Sequence, residues 1–319
     1  DNQFQKPQAF HDNSTYRLGG IIIFSLLILV FLYLYFSRNI FPSEYVSFCT
    51  LFFLLGLVDD LKINMQPKFR LLIMIAFLIT LVISNEIYIK KTGLEFLDNL
   101  VAVDIFSLMF ICLCFLFIIN GSNLIDGFNG LLGIHSLIIF IVLFAINLIN
   151  ENNNLIYILF YVSLLTLIFL KFNFPKAQIF LGDSGAYLIG ILIAISVIKT
   201  SNLNPSISPF FFCILLFYLF FEVFFSFFRK LVVKKVSPIH PDEKHLHMLL
   251  YKILLKKNND KLKSNYYVSL IINLIYLILT IPAIFMMQEG LFCKYYSILF
   301  FIIYIFCYRI ASNKIKQAT

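Results

Sequence analysis

Residues 19–37 read GGIIIFSLLILVFLYLYFS, nineteen positions with no charge, closed by Arg38. A helix needs roughly 20 apolar residues to cross the hydrocarbon core of a bilayer. Working outward, nine more apolar runs follow, at about 43–58, 69–88, 104–119, 131–149, 155–170, 185–199, 208–227, 267–287 and 295–309. Backbone groups cannot stay unpaired in lipid, so such runs are helices or a closed barrel. Their length and the lack of strict alternation favour helices. The expected fold is all-α, a polytopic transmembrane helix bundle of about ten spans. Composition agrees, with 61% hydrophobic and 13% charged residues. A soluble domain carries roughly a quarter charged residues. The six cysteines lie in or beside the apolar runs and read as small hydrophobes, not as a disulfide framework.

The gaps between the runs hold nearly every charge, and parity divides them. One side receives residues 1–18, the loops 59–68, 120–130, 171–184 and 228–266, and the tail from 310. The other receives 38–42, 89–103, 150–154, 200–207 and 288–294. Of the 25 Lys and Arg, twenty fall to the first side and five to the second. Cytoplasmic loops carry the excess of Lys and Arg, so the first side is expected to face the cytoplasm. The net charge of +8 is then a topology signal, not a mark of nucleic-acid binding. It also suits phosphate ligands and lipid headgroups.

The unusual polar residues gather on that same side. His11-Asp-Asn-Ser-Thr-Tyr-Arg-Leu-Gly-Gly20 leads into the first span and by itself reads as a charged helix start. Gly56-Leu-Val-Asp-Asp-Leu-Lys62 ends the second with adjacent carboxylates. Asp59 and Asp60 repel each other, so ionising both calls for a cation or a base; the bland alternative is a solvated helix end. Mg²⁺ commonly binds through one or two carboxylates plus phosphate oxygens. Asn120-Gly-Ser-Asn-Leu-Ile-Asp-Gly-Phe-Asn-Gly130 would align Asn120, Asn123 and Asp126 along one helical stripe, or else form an ordinary Gly/Asn turn.

Asn173-Phe-Pro-Lys-Ala-Gln-Ile-Phe-Leu-Gly-Asp-Ser-Gly185 opens another helix. Asp183 is there either an N-cap or a metal ligand beside an N-terminus that would welcome phosphate. Ser237-Pro-Ile-His-Pro-Asp-Glu-Lys-His-Leu-His-Met248 puts His240, His245 and His247 within eight residues of a basic loop. His245 and His247 could share one side of an extended segment, and phosphate binding fits this cationic setting better than zinc. Glu222 lies inside a span, where an acid is a functional candidate; the alternative is an acid reaching Arg229 or Lys230.

In order and spacing, from His11 to Leu250, these stretches resemble the polyprenyl-phosphate N-acetylhexosamine-1-phosphate transferases, glycosyltransferase family 4. The carrying motifs are His-x5-Arg-Leu-Gly-Gly, Gly-Leu-x-Asp-Asp, Asn-x-x-Asn-x-x-Asp-Gly, Asn-x-x-Pro-x4-Phe-x-Gly-Asp-Ser-Gly and Ser-Pro-x-His-Pro-Asp-x-x-His-Leu-His. The resemblance implies that a polyprenyl phosphate attacks the β-phosphate of a UDP-N-acetylhexosamine, giving polyprenyl-diphosphate-sugar and UMP. Mg²⁺, with Mn²⁺ as its substitute, is the implied cofactor. The implied place is the bacterial inner membrane, with residues 1–319 forming one integral membrane domain.

By the same resemblance, Asp59 and Asp60 belong to the lipid-phosphate and metal region, including deprotonation of the nucleophile. Asp183 resembles the metal ligand, and Asn120, Asn123 and Asp126 resemble nucleotide-site residues. Asn173 joins the substrate-binding set. His245, His247 and His240 resemble contacts to the diphosphate or sugar, and Glu222 resembles an acid that precedes the basic loop. The implied partners are the two substrates and membrane lipid, with a homodimer left open and no nucleic acid. Many relatives have Asp where this chain has Asn129, and His where it has Met248. They usually carry one more span ahead of the His11 segment, so eleven spans are expected in the whole protein. The histidine segment resembles the branch that starts O-antigen, common-antigen or teichoic-acid glycans, often from UDP-GlcNAc. A membrane transporter and a non-catalytic lipid-linked-sugar binder are the rival readings.

Overall fold

A computed structural model describes residues 15–63, 65–234 and 244–317. His11 and His240 lie outside the described residues. The helices, in chain order, are α1 (Gly19–Arg38), α2 (Ser43–Asp60), α3 (Pro67–Ser84), α4 (Glu95–Val101), α5 (Asp104–Ile125), α6 (Leu131–Ile149) and α7 (Asn153–Asn173). They continue as α8 (Gly182–Leu203), α9 (Pro209–Leu215), α10 (Phe217–Phe228), α11 (Leu246–Asn258), α12 (Lys261–Phe285) and α13 (Gly290–Lys316). A π-helical turn, Arg229–Lys234, extends α10.

All ten apolar runs are chiefly helical, the third ending at Ser84 and not at 88. Among the described residues eight helices are long and apolar enough to cross a membrane, and α9 with α10 brings the count to nine. The tenth run is α2, whose 18 residues include Glu44, Asp59 and Asp60 at its ends. The run 208–227, expected as one span, is instead bent by 75° between α9 and α10. At the bend the Tyr276 hydroxyl donates to the Leu215 carbonyl at 2.6 Å. A side chain that captures a helix carbonyl is an ordinary cause of a kink.

The bundle is built around α8. Every residue from Ser184 to Ile198 is buried, as expected of a helix that is apolar all round. Helices α1, α2, α5 and α6 pack around it. Close approach depends on Gly56, where a Cβ would stand 2.4 Å from the Ser184 Cα. Since α8 runs through the centre, its first turn places Asp183 in the middle of one end of the molecule.

The loops meet in two separate groups. At one end Tyr16 pairs with Ile179, Gly130 with Asn173, Asn129 with Pro175 and Asn265, and Glu222 with His245. At the other, Asn202 bonds the Tyr88 carbonyl, Asn152 bonds Asn204, Ser208 bonds Met287, and Lys199 pairs with Glu44. Each of these contacts joins segments that parity had already put on one side.

Candidate active site

The last turn of α2 meets the first turn of α8. The Asp60 carboxylate accepts the Asp183 and Ser184 amides, each at 2.9 Å, and the Ser184 hydroxyl at 2.6 Å. The first amides of a helix have no partner within it, and an anion there also meets the favourable end of the helix dipole. Asp60 therefore caps α8 from outside. Asp183 is not the cap, and the phosphate seat expected at this N-terminus is filled by the Asp60 carboxylate. Gly182 makes the approach feasible, with φ +77° and with Asp60 Oδ2 only 2.6 Å from where a Cβ would lie.

Asp59 takes a different partner, Arg70 of α3, at 2.8 Å. The two adjacent carboxylates are thus relieved by separate groups, a guanidinium and a helix end. Arg17 bridges the next pair, 3.6 Å from Asp60 and 3.8 Å from Asp183. Among the described residues Arg17 is the one ion-pair partner of the Asp183 carboxylate. Asp126, at the end of α5, completes the group. Burial, and then the charge of Asp183, push its carboxyl well above the usual carboxylate range, against the pull of Arg17. Carboxylates that resist ionisation beside one another are what a bound cation would relieve.

The remaining predicted residues divide. Asn120 bonds back to the Leu116 carbonyl at 2.8 Å, one turn earlier, and Asn123 is half-buried on the same last turns of α5. Asn173 is taken up by backbone: its oxygen accepts the Gly130 amide at 2.7 Å and its nitrogen donates to the Ile179 carbonyl at 2.9 Å. It pins two loops together. Asn129 donates to the Pro175 carbonyl at 2.9 Å, which a carboxylate could not do.

A second cluster lies near Phe128, which follows Asp126 in the chain and whose ring packs on His247 at 5.6 Å. Glu222 is buried and accepts from His245 Nδ1 at 2.9 Å and from the Leu246 amide at 3.2 Å. Its partner is thus a histidine and the start of α11, not the basic residues that follow α10. His247 Nδ1 meets the Tyr218 hydroxyl at 3.1 Å. The His245 and His247 rings are parallel at 5.4 Å, although the segment is not extended as expected, His247 lying in the first turn of α11. Burial pushes His247 down to about 4, against the attraction of Glu222.

Three neighbours escaped the sequence reading. Arg70 counted only as a topology charge, and Tyr218 is one aromatic among many. His135 is fully buried, 3.0 Å from Asn273 and packed at a tilt against Tyr276, with ring centroids 4.1 Å apart. A histidine inside an apolar run was the signal available for it.

Comparison with known proteins accords with this arrangement. The model for "Glycosyl transferase family 4" matches residues 43–201, which include Asp59, Asp60, Asp126 and Asp183. A Thermotoga maritima protein named undecaprenyl-phosphate alpha-N-acetylglucosaminyl 1-phosphate transferase is 29% identical, over 74% of this chain and 68% of its own. A phospho-N-acetylmuramoyl-pentapeptide-transferase of Dictyoglomus thermophilum is 33% identical, over 72% of this chain and 74% of its own. A Bacillus subtilis protein, named a probable undecaprenyl-phosphate N-acetylglucosaminyl 1-phosphate transferase, is 26% identical over 92% of this chain and 79% of its own. With its helical membrane bundle and one-sided acid cluster, the chain belongs to glycosyl transferase family 4 and is a membrane phosphosugar transferase.

Proposed function

We propose that the protein transfers N-acetylglucosamine-1-phosphate from UDP-GlcNAc to undecaprenyl phosphate, at the cytoplasmic face of a bacterial inner membrane. An oxygen of the lipid phosphate attacks the β-phosphorus of the donor. The bond from that phosphorus to the bridging oxygen breaks, its electron pair leaves with UMP, and a lipid diphosphate sugar remains. The observation that carries the reading is the acid group Asp60, Asp126 and Asp183 around Arg17, at the N-terminal end of α8. Undecaprenyl phosphate as acceptor follows the names of two relatives, and the cytoplasmic side follows the Lys and Arg asymmetry.

The donor set fits Mg²⁺. Among the described residues no three acid, histidine or cysteine side chains are gathered to hold an ion unaided. Mg²⁺ needs only one or two carboxylates when substrate phosphates complete its shell. Asp183 is the first candidate ligand, because its carboxylate is not occupied in capping α8. Asp60 holds the turn that carries it. When bound, the ion would neutralise charge developing on the transferred phosphoryl group.

Arg17, a third exposed, stands where it can turn from the carboxylates to a phosphate. Asn120, Asn123 and Asp126 supply acceptors and donors for the nucleotide, and His245 and His247 face the diphosphate or sugar. Asp59, held by Arg70, remains the candidate base for the lipid phosphate.

N-acetylglucosamine is preferred because the chain reads His-Pro-Asp-x-x-His-Leu-His where the muramoyl-pentapeptide branch shows three consecutive histidines. Membranes containing the protein should convert UDP-GlcNAc and undecaprenyl phosphate to labelled lipid when Mg²⁺ is present. Labelled lipid from UDP-N-acetylmuramoyl-pentapeptide, and none from UDP-GlcNAc, would reassign the donor.

A further inference from the structure

Segment 244–247 is fastened at three points. Arg229 donates to the Lys244 carbonyl at 2.8 Å and to the Tyr308 hydroxyl at 2.6 Å. The Leu246 amide, first in α11, donates to Glu222 Oε1, and His245 Nδ1 is 2.9 Å from Glu222 Oε2. Glu222 is 1% exposed and lies in a helix that otherwise reads as membrane-spanning. A carboxylate buried this deeply is costly unless its bonds are of use, and here one side chain serves two of them.

An ionised carboxylate can only accept, so His245 must carry its proton on Nδ1. That leaves Nε2 as the ring atom turned away from Glu222. A neutral imidazole free to choose would commonly place its proton on Nε2, and the bond made by one nitrogen decides the state of the other. His247 repeats the pattern one step removed. Its Nδ1 faces Tyr218, and its Nε2 is buried with no hydrogen-bond partner among the described residues. Both rings therefore have Nδ1 tethered to α10 and Nε2 on the opposite edge of the ring. The titratable groups around Glu222 are His245 and His247 from the α11 segment, Tyr218 from α10 and Tyr304 from α13, with Arg229 strapping the same segment.

We propose that Glu222 is a positioning residue for the transfer. It fixes His245 as the Nδ1–H tautomer, so that Nε2 is the atom offered to the donor's diphosphate or sugar, and it holds the start of α11 in place. This rests on the reading of the site as a sugar-phosphate transferase. Glu222 would touch no substrate and would act through His245. Residues of this outer kind commonly change activity by roughly ten- to a hundredfold.

Two experiments test it. The first needs no variant. The purified full chain has five histidines, so selective ¹⁵N-histidine labelling reads each ring by NMR, with His245→Gln assigning its signal. An Nδ1–H tautomer at His245 is expected, and an Nε2–H tautomer overturns the proposal. The second compares Glu222→Gln, His245→Ala and the double variant under the transfer assay. Glu222→Gln should lower kcat/KM ten- to a hundredfold in the parent and by a much smaller factor in His245→Ala, where only its bond to the Leu246 amide is left to lose. Equal, additive losses in both backgrounds would mean that Glu222 does not act through His245. If the parent itself makes no lipid product, the transferase reading fails; the tautomer measurement still decides the Glu222–His245 geometry.

Discussion

At the residue scale, two neighbouring acids hold different jobs although the sequence presents them alike. Asp60 makes three hydrogen bonds that join α2 to α8, whereas Asp183 has Arg17 as its one described ion-pair partner. Asp183→Asn is therefore expected to abolish transfer while leaving the thermal unfolding midpoint nearly unchanged. Asp60→Asn should lose activity and about 1–3 kcal/mol of stability, because buried donors at the α8 N-terminus would face a weaker acceptor. Matched unfolding curves and activities for the two variants check the contrast; equal destabilisation would remove it. Both acids stood out in the motifs. Which acid caps and which stays available depends on where α2 ends against α8, a relation 123 residues apart in sequence.

His247 gives a pH dependence. Its folded-state value, about 4, lies below its ordinary 6.5. Between those values the unfolded chain binds the proton better, so stability is complete above about pH 6.5 and is lost as pH falls toward 4. The loss from this group is on the order of 3 kcal/mol. His247→Gln should flatten that part of the curve of unfolding midpoint against pH. An unchanged slope would show that His247 is not held neutral by burial.

At the element scale, α8 was legible as a span but not as the hub of the bundle. Its apolar residues continue round every face, and Gly56 of α2 lets the two backbones come together. Gly56→Ala would place a methyl 2.4 Å from the Ser184 Cα, so the helices must separate. Overpacking of this kind typically costs 1–3 kcal/mol. The same separation pulls Asp60 from the α8 N-terminus, so activity should fall more than the stability loss alone would explain. Activity measured well below the unfolding midpoint tests this, and full retention would contradict it. The break between α9 and α10 was not legible, because it depends on Tyr276, 61 residues from the carbonyl it captures.

At the scale of the whole molecule, parity proved the most informative reading. It divided the loops into two sets, and the contacts between loops fall within those sets. The sequence could not show that His247 packs against Phe128, just past Asp126, because that contact is made by folding. Sidedness itself has a direct test. In intact cells, a membrane-impermeant maleimide should label Asn150→Cys and spare Lys62→Cys until the membrane is opened. The reverse pattern would place the site outside.

The central claim is that the sugar travels with a phosphate. Purified protein would be given UDP-GlcNAc labelled with ³²P at the β-phosphate, undecaprenyl phosphate and Mg²⁺, and the lipid extracted. The account expects the label in the lipid, with one UMP formed for each lipid product. Label left in the water phase as UDP, or no lipid product from any UDP-N-acetylhexosamine, would contradict it.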